Sequence, residues 1–358
     1  MENSGQVFDV IVIGAGVMGS STAYHTAKRG LTTLLLEQFD FLHYRGSSHG
    51  ESRTIRATYP EDYYSGMALE SSRLWEEAEA EAGYRVYFKT KQFDMGPSDN
   101  KSLLAVISSC RKNSIPVRVL NPDEVFEEFS GIFQLPEDWI GVVTEFGGVI
   151  KPTKAVSMFQ ALALQRGAVL KDNSKPLETT VHYWKINEGH EGKFTIENGF
   201  PSFASYGDPY IYGTPSLEFP GLIKIPIHAG RPCEPEDRTW AAPKAQVGVL
   251  QDWIKGRFGD LVDTEKPVMT QSCMYSMTPD EDYVIDFLGG EFGEDAVVCG
   301  GFSGHGFKMG PVVGRIAAEL VENGRAAGVE MRHFRIGRFE GKCKGNVKDF
   351  DDQVKKSH

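Results

Sequence analysis

Cysteine is scarce and unpatterned. Cys110, Cys233, Cys273, Cys299 and Cys343 are the only five in 358 residues and show no C-x-x-C spacing, which argues against a zinc site or a disulfide framework. Basic clusters are missing too. With a net charge of −11, the chain offers no surface for nucleic acid or for an anionic membrane. No apolar stretch approaches a membrane span, and no repeat or low-complexity segment appears. The N-terminal MENSGQ has no basic, apolar leader, so the sequence predicts an intracellular protein. The C-terminal Lys356-Ser357-His358 is not the S-K-L peroxisomal address. The remaining composition, 41% hydrophobic and 24% charged, is that of an ordinary globular chain with room for two domains.

What is present is concentrated first between Phe8 and Glu37, FDVIVIGAGVMGSSTAYHTAKRGLTTLLLE. Val10 to Ile13 is a β-branched run that empties into Gly14-Ala15-Gly16-Val17-Met18-Gly19, so G-x-G-x-x-G lies between a strand and a helix. Gly14 permits the tight turn, Gly16 lets a pyrophosphate approach the backbone, and Gly19 lets the helix lie close on the sheet. Lys28-Arg29-Gly30 stops the helix. A second strand, Thr32 to Leu36, ends on Glu37, where a carboxylate can accept hydrogen bonds from a ribose diol. No arginine follows to greet a 2′-phosphate. The unit predicts a dinucleotide, FAD or NAD, and does not choose between them.

Beyond Glu37 comes a polar loop in which His43 and Arg45 read as solvated. Arg53 and Arg56, three apart, would aim the same way on one helical turn and suit an anion. Met67 to Ala82 reads as a surface helix, Tyr84 to Met95 as β-rich, Leu103 to Lys112 as helical and Val117 to Leu120 as a short strand. Asn121-Pro122-Asp123-Glu124 opens another helix. A further helix begins near Pro152 and carries Ala155, Met158, Phe159 and Leu162 on one apolar face. Gly167 ends it, and Ala168 to Leu170 returns to the parallel sheet. From Thr179 to Trp240 short strands and turns alternate, which suggests an antiparallel sheet. Ala242 to Phe258 reads as a helix. The strand Ala296 to Cys299 runs into GGFSGHGFKMG, with a helix from Pro311 to Val321 behind it. The tail beyond Asn323 carries no readable motif.

A lone cysteine is by default a small buried hydrophobe, which suffices for Cys110, Cys233, Cys299 and Cys343. Cys273 differs because it opens CMY-x-x-TPDEDYVID. That run, its spacing to GGFSGHGFK and the N-terminal glycine unit together resemble the monomeric sarcosine oxidase and L-pipecolate oxidase family. These are FAD-dependent amine oxidases of the glycine and D-amino acid oxidase group, and the likeness extends to about Val321. The expected fold is α/β: a Rossmann-like FAD-binding domain from residues 1–58, 141–174 and 290–323, interleaved with a mixed-sheet α+β substrate domain from residues 59–140 and 175–289. Residues 324–358 form a tail. The resemblance implies FAD joined to Cys273 by a thioether, with Ser52, Arg53, Gly304 and His305 beside the flavin. Arg56 and Lys308 would hold a substrate carboxylate, and a fork and a point charge are what that group asks for. Tyr212 matches a substrate-pocket tyrosine. Lys224 matches a lysine beside the flavin where oxygen is activated, and His228, four residues on along a strand, shares its face.

The implied partners are a small amino acid and O2, in a monomer that needs no metal. A secondary amino acid such as sarcosine, an N-methyl amino acid or L-pipecolate would give up a hydride equivalent to the flavin and leave as an imine, and O2 would leave as H2O2. A peroxisomal site is possible by resemblance, although the C-terminus does not encode it. Two rival readings exist, an NAD-dependent dehydrogenase and a non-catalytic shortened chain. The second arises because a segment is missing after residue 172. Where the family continues into a β-hairpin and a buried strand beside the flavin, this chain goes from Lys171-Asp172-Asn173-Ser174-Lys175-Pro176 straight to LETTVHYW. The expected consequence is an open nucleotide sheet, weak FAD retention and little oxidase activity.

Overall fold

The computed structural model describes residues 7–37, 39–43, 46–172, 181–217, 219–228, 244–271, 276–348 and 350. Arg45, Cys233 and Cys273 lie outside the described residues. The chain opens with β1 (Val10–Ile13), α1 (Val17–Lys28) and β2 (Thr33–Leu36), and β1 and β2 pair in parallel with Val10 opposite Thr33. Gly14 has φ +96°, which L side chains rarely adopt. A Cβ on Gly19 would stand 1.8 Å from the Gly14 carbonyl oxygen. The sequence therefore has no freedom at this turn.

Next come β3 (Arg53–Arg56) and α2 (Asp62–Ala82). This helix begins earlier than the sequence suggests and is no surface helix: Tyr64 and Trp75 are fully buried, and the Trp75 indole Nε1–H donates to the Lys308 carbonyl at 3.0 Å. Its acids occupy one side, while Met67, Ser71, Trp75 and Ala78 recur at helical spacing and face inward. Then follow β4 (Tyr87–Pro97), α3 (Lys101–Lys112), β5 (Arg118–Leu120) and α4 (Pro122–Glu128). A capping box starts α4, with Asn121 and Glu124 each bonding the other's backbone N–H. After β6 (Trp139–Ile150), α5 (Pro152–Gln165) buries Ala155, Met158, Phe159 and Leu162 completely, as their spacing predicts. The strand β7 (Val169–Lys171) then pairs in parallel with β2.

The remaining elements are β8 (Val181–Lys185), β9 (Ser202–Ser205), β10 (Ile211–Gly213), β11 (Leu222–Lys224), α6 (Lys244–Phe258), β12 (Met269–Gln271), β13 (Val284–Phe287), β14 (Val297–Gly300) and α7 (Gly310–Asn323). A mixed sheet runs β10-β9-β4-β6-β3, with β5 on β6. Among the described residues of the Thr179–Trp240 region, β8 and β11 form a separate antiparallel sheet, completed by β12, whereas β9 pairs in parallel with β4. A phenylalanine-rich core including Phe93, Phe133, Phe200, Phe203 and Phe258 fills the space between these sheets.

The nucleotide sheet contains only β1, β2 and β7 among the described residues, and β14 pairs only with β13. One edge of β1 is thus unpaired, and Ile11 and Ile13 on one face are 56% and 83% exposed. A parallel sheet normally has both faces covered, and the described residues leave this one open at Ile11 and Ile13. The tail is not featureless. Arg338 makes two hydrogen bonds to Asp280 at 2.7 and 3.0 Å, Asn346 bonds Asp282 at 2.7 Å, and Lys348 pairs with Glu61 at 2.7 Å. Residues 324–348 are thereby strapped across the molecule, held by acids inside the TPDED run that read as part of another motif. Cys110 is buried, but Cys343 is exposed, so the reading of a buried hydrophobe fails there. Among the described residues no helix is long and apolar enough to cross a membrane, and no cluster of metal ligands appears.

Candidate active site

At the glycine turn the Ala15 N–H donates to Glu37 Oε2 at 2.6 Å, and the Phe39 N–H donates to Glu37 Oε1 at 3.0 Å. The His43 ring lies 3.4 Å from the same carboxylate, so it is not the solvated residue the sequence suggests. A Cβ on Gly16 would fall 2.9 Å from Ser48 Oγ, and that hydroxyl accepts from the Val17 N–H at 3.0 Å. A glycine turn at the N-terminus of α1 and a carboxylate at the end of β2 fit the pyrophosphate and ribose of a dinucleotide. Ser48 is absent from the sequence-based list. The paired serines just before His49 and Gly50 are its only signal.

Arg53 and Arg56 lie on a strand, not on a helical turn, so three residues of spacing send them to opposite faces. Arg53 staples the preceding loop, donating to the carbonyls of Ser52 (2.9 Å), Ser47 (3.0 Å) and His49 (2.8 Å). Arg56 turns to Tyr210, donating to its hydroxyl at 3.3 Å, and its guanidinium carbon lies 4.4 Å from the centre of the Tyr59 ring. Lys308 Nζ is 5.8 Å from the same ring centre. The two cations therefore flank one tyrosine.

Both line a cavity of about 520 Å³ that also receives Arg53, Tyr212, Lys224, His228, Gly304 and His305. Ser52 lies just behind it, its carbonyl accepting from Lys224 Nζ at 2.8 Å. Tyr210, two residues before Tyr212 and so on the same side of the strand, is the tyrosine that touches Arg56. Tyr59, Tyr210, Gln92 and Tyr206 line the cavity although sequence reasoning passes over them, because aromatic and amide residues carry no local sign of a ligand.

Burial, reinforced by Arg56 and Arg53, pulls the Lys308 ammonium well below the usual lysine range. Burial and the charges of Lys308 and Arg56 push His228 down to about 4. Burial and Lys308 likewise hold His305 well below the usual histidine range. The His305 ring lies with Nε2 3.0 Å from the Glu281 carbonyl and Nδ1 2.8 Å from the Tyr283 hydroxyl. Nε2 must carry the proton to bond a carbonyl, which leaves Nδ1 to accept. Its main-chain carbonyl accepts from Lys308 Nζ at 2.9 Å, so the backbone at His305 fixes the lysine.

A family model described as FAD dependent oxidoreductase matches residues 9–193 and 174–320. The chain belongs to that family. It falls within the sarcosine oxidase group: it is 57% identical to a probable sarcosine oxidase of Arabidopsis thaliana, over 97% of this chain and 96% of that protein. It is also 32% identical to a human peroxisomal sarcosine oxidase, over 95% and 98%. Among solved structures, an L-proline dehydrogenase from P. horikoshii superposes with a TM-score of 0.74 at 22% identity, over 93% of this chain and 97% of that one; this likeness speaks to the fold alone. The family removes the NAD-dependent reading, and coverage of nearly the whole length of oxidases leaves the non-catalytic reading without support. The Arabidopsis alignment spans 402 positions against 358 residues here, so at least 44 of them face a gap in this chain.

Proposed function

We propose that this flavoprotein oxidises a secondary amino acid, sarcosine, another N-methyl amino acid or L-pipecolate, to the imine and passes the electrons to O2 as H2O2. The observation that carries this reading is the pair Arg56 and Lys308 beside Tyr59, neither with a carboxylate in ion-pair range among the described residues. A buried lysine and a half-buried arginine with no anion between them favour an incoming carboxylate, which the arginine grips as a fork and the lysine as a point charge. That anion also restores the proton that Arg56 and Arg53 discourage on Lys308. With the carboxylate fixed, the cavity wall carrying His228 is left to face the amine. The same burial and the charges of Lys308 and Arg56 that push His228 down to about 4 also disfavour a further positive charge on the amine, so the substrate binds with its amine neutral and the extra proton left in solvent. Bound FAD supplies the two-electron acceptor and its return to the oxidised state with O2. Sarcosine, L-pipecolate and dimethylamine, compared for peroxide release, test the reading. Oxidation of dimethylamine as fast as of sarcosine would remove the carboxylate from it.

Lys224 is assigned to the oxygen half-reaction, since a fixed buried cation helps where negative charge appears as electrons reach oxygen. Lys224→Met is expected to leave anaerobic reduction by substrate within a few-fold while slowing reoxidation roughly 100-fold or more, the scale of losing one electrostatic stabiliser. Stopped-flow reoxidation at the wild-type rate rejects the role.

Cys273 is proposed to hold the flavin covalently, on the strength of the CMY run that none of the other four cysteines shares. After acid precipitation the flavin should stay with the protein pellet, and in Cys273→Ala it should appear in the supernatant. Free FAD from the wild type overturns the linkage.

A further inference from the structure

Behind Arg56 stands an acid that the reaction as described does not use. Asp94 on β4 is fully buried and does not line the cavity, whereas Gln92, two residues before it, does. Gln92 Nε2 donates to Asp94 Oδ1 at 3.0 Å and Gln92 Oε1 accepts from Ser202 Oγ at 2.8 Å. Asp94 Oδ2 is buried with no hydrogen-bond partner among the described residues. A carboxylate so poorly provided for is costly to keep ionised. Arg56 is the cation that acts on it, and Asp94 in turn supports the charge of Arg56 from beyond ion-pair distance.

We propose that Asp94 is a positioning residue that sets the strength of the carboxylate receptor through Arg56: ionised, it offsets the guanidinium and weakens the grip on substrate; protonated, it leaves the full charge to the cavity. This rests on Arg56 being the substrate-carboxylate receptor.

The titratable groups facing Asp94 are few. Arg56 comes from β3, Cys110 from α3, and Tyr206 and Tyr210 from the segment between β9 and β10. Burial and the nearby acid push the Cys110 thiol up to about 12, and burial holds both tyrosines above their ordinary range. Arg56 stays charged throughout. Asp94 therefore titrates alone in this cluster, pushed up to about 6 by burial against the pull of Arg56. A carboxylate ligand prefers the protonated form, so affinity is greatest below about 6 and falls as pH rises through it. Proton loss from Lys308 weakens binding in the same direction, but it is common to the wild type and to any Asp94 variant.

The test is Asp94→Asn, near-isosteric with the protonated acid and still able to accept from Gln92. The probe is methoxyacetate, a sarcosine-shaped carboxylate without the amine, titrated calorimetrically into the flavin-loaded protein at about pH 5 and about pH 8. At the lower pH the two proteins should bind alike. At the higher pH the variant should bind roughly tenfold tighter, as expected when a like charge across one partly buried guanidinium is removed. KM for sarcosine should fall in parallel, with kcat within a few-fold. A variant that binds equally or more weakly at the higher pH overturns the proposal and leaves Asp94 a packing residue. Failure of the receptor reading itself has a separate signature: Arg56→Ala then binds methoxyacetate as the wild type does.

Discussion

Replacing Arg56 by alanine is expected to lower kcat/KM for sarcosine by roughly 2 to 5 kcal/mol, the cost of truncating one member of a buried charge pair, which is about 30- to 4,000-fold. Most of the loss should lie in KM. The guanidinium is held by Tyr210 and stacked against Tyr59, so its removal deletes the fork without collapsing the wall that carries it. Lys308 would then face the carboxylate alone, relieved of the neighbouring charge that draws down its pKa. That partial compensation places Arg56→Lys between the wild type and alanine, because lysine restores charge but not the bidentate geometry. Steady-state kinetics on sarcosine beside a substrate without a carboxylate decides the matter. An equal loss on both would make Arg56 a structural residue.

Inserting after residue 172 the segment that the family resemblance implies there is expected to stabilise the protein and raise its flavin content. Ile11 and Ile13 lie on a strand next to the glycine turn yet are 56% and 83% exposed. Covering each contributes roughly 1.5 to 3 kcal/mol, a sizeable part of the roughly 5 to 15 kcal/mol by which domains are stable. The added strand would also give β1, paired only with β2 among the described residues, a second neighbour and so fix the turn that receives the pyrophosphate. A chimera carrying the corresponding segment of the Arabidopsis relative should melt several degrees higher without flavin and carry more flavin per chain. Equal melting temperatures and equal flavin absorbance would mean that the short sheet is already sufficient.

The strand, glycine turn, helix and acid from Phe8 to Glu37 were determined by the sequence alone, because each step is local: positive φ at Gly14, close approach at Gly19, a helix stop at Gly30. The apolar stripe of α5 and the capping box of α4 are local in the same sense. Spacing alone marked Arg56, with Arg53, as suited to an anion; Lys308, Lys224, His228 and His305 were given roles only because the combined motifs resemble a family. Tertiary structure decided the rest. It turned Arg53 and Arg56 to opposite faces, since a strand rather than a helix forms there once β6 supplies its partner. It buried Trp75 by packing α2 against α5 and the Lys308 turn, and it chose Tyr210 over Tyr212 as the neighbour of Arg56. Asp94 belongs to the same class, an acid inside an ordinary strand sequence, whose significance exists only because β3 brings a guanidinium to it across the sheet. Such meetings depend on distances between residues far apart in the chain, and no local pattern encodes them.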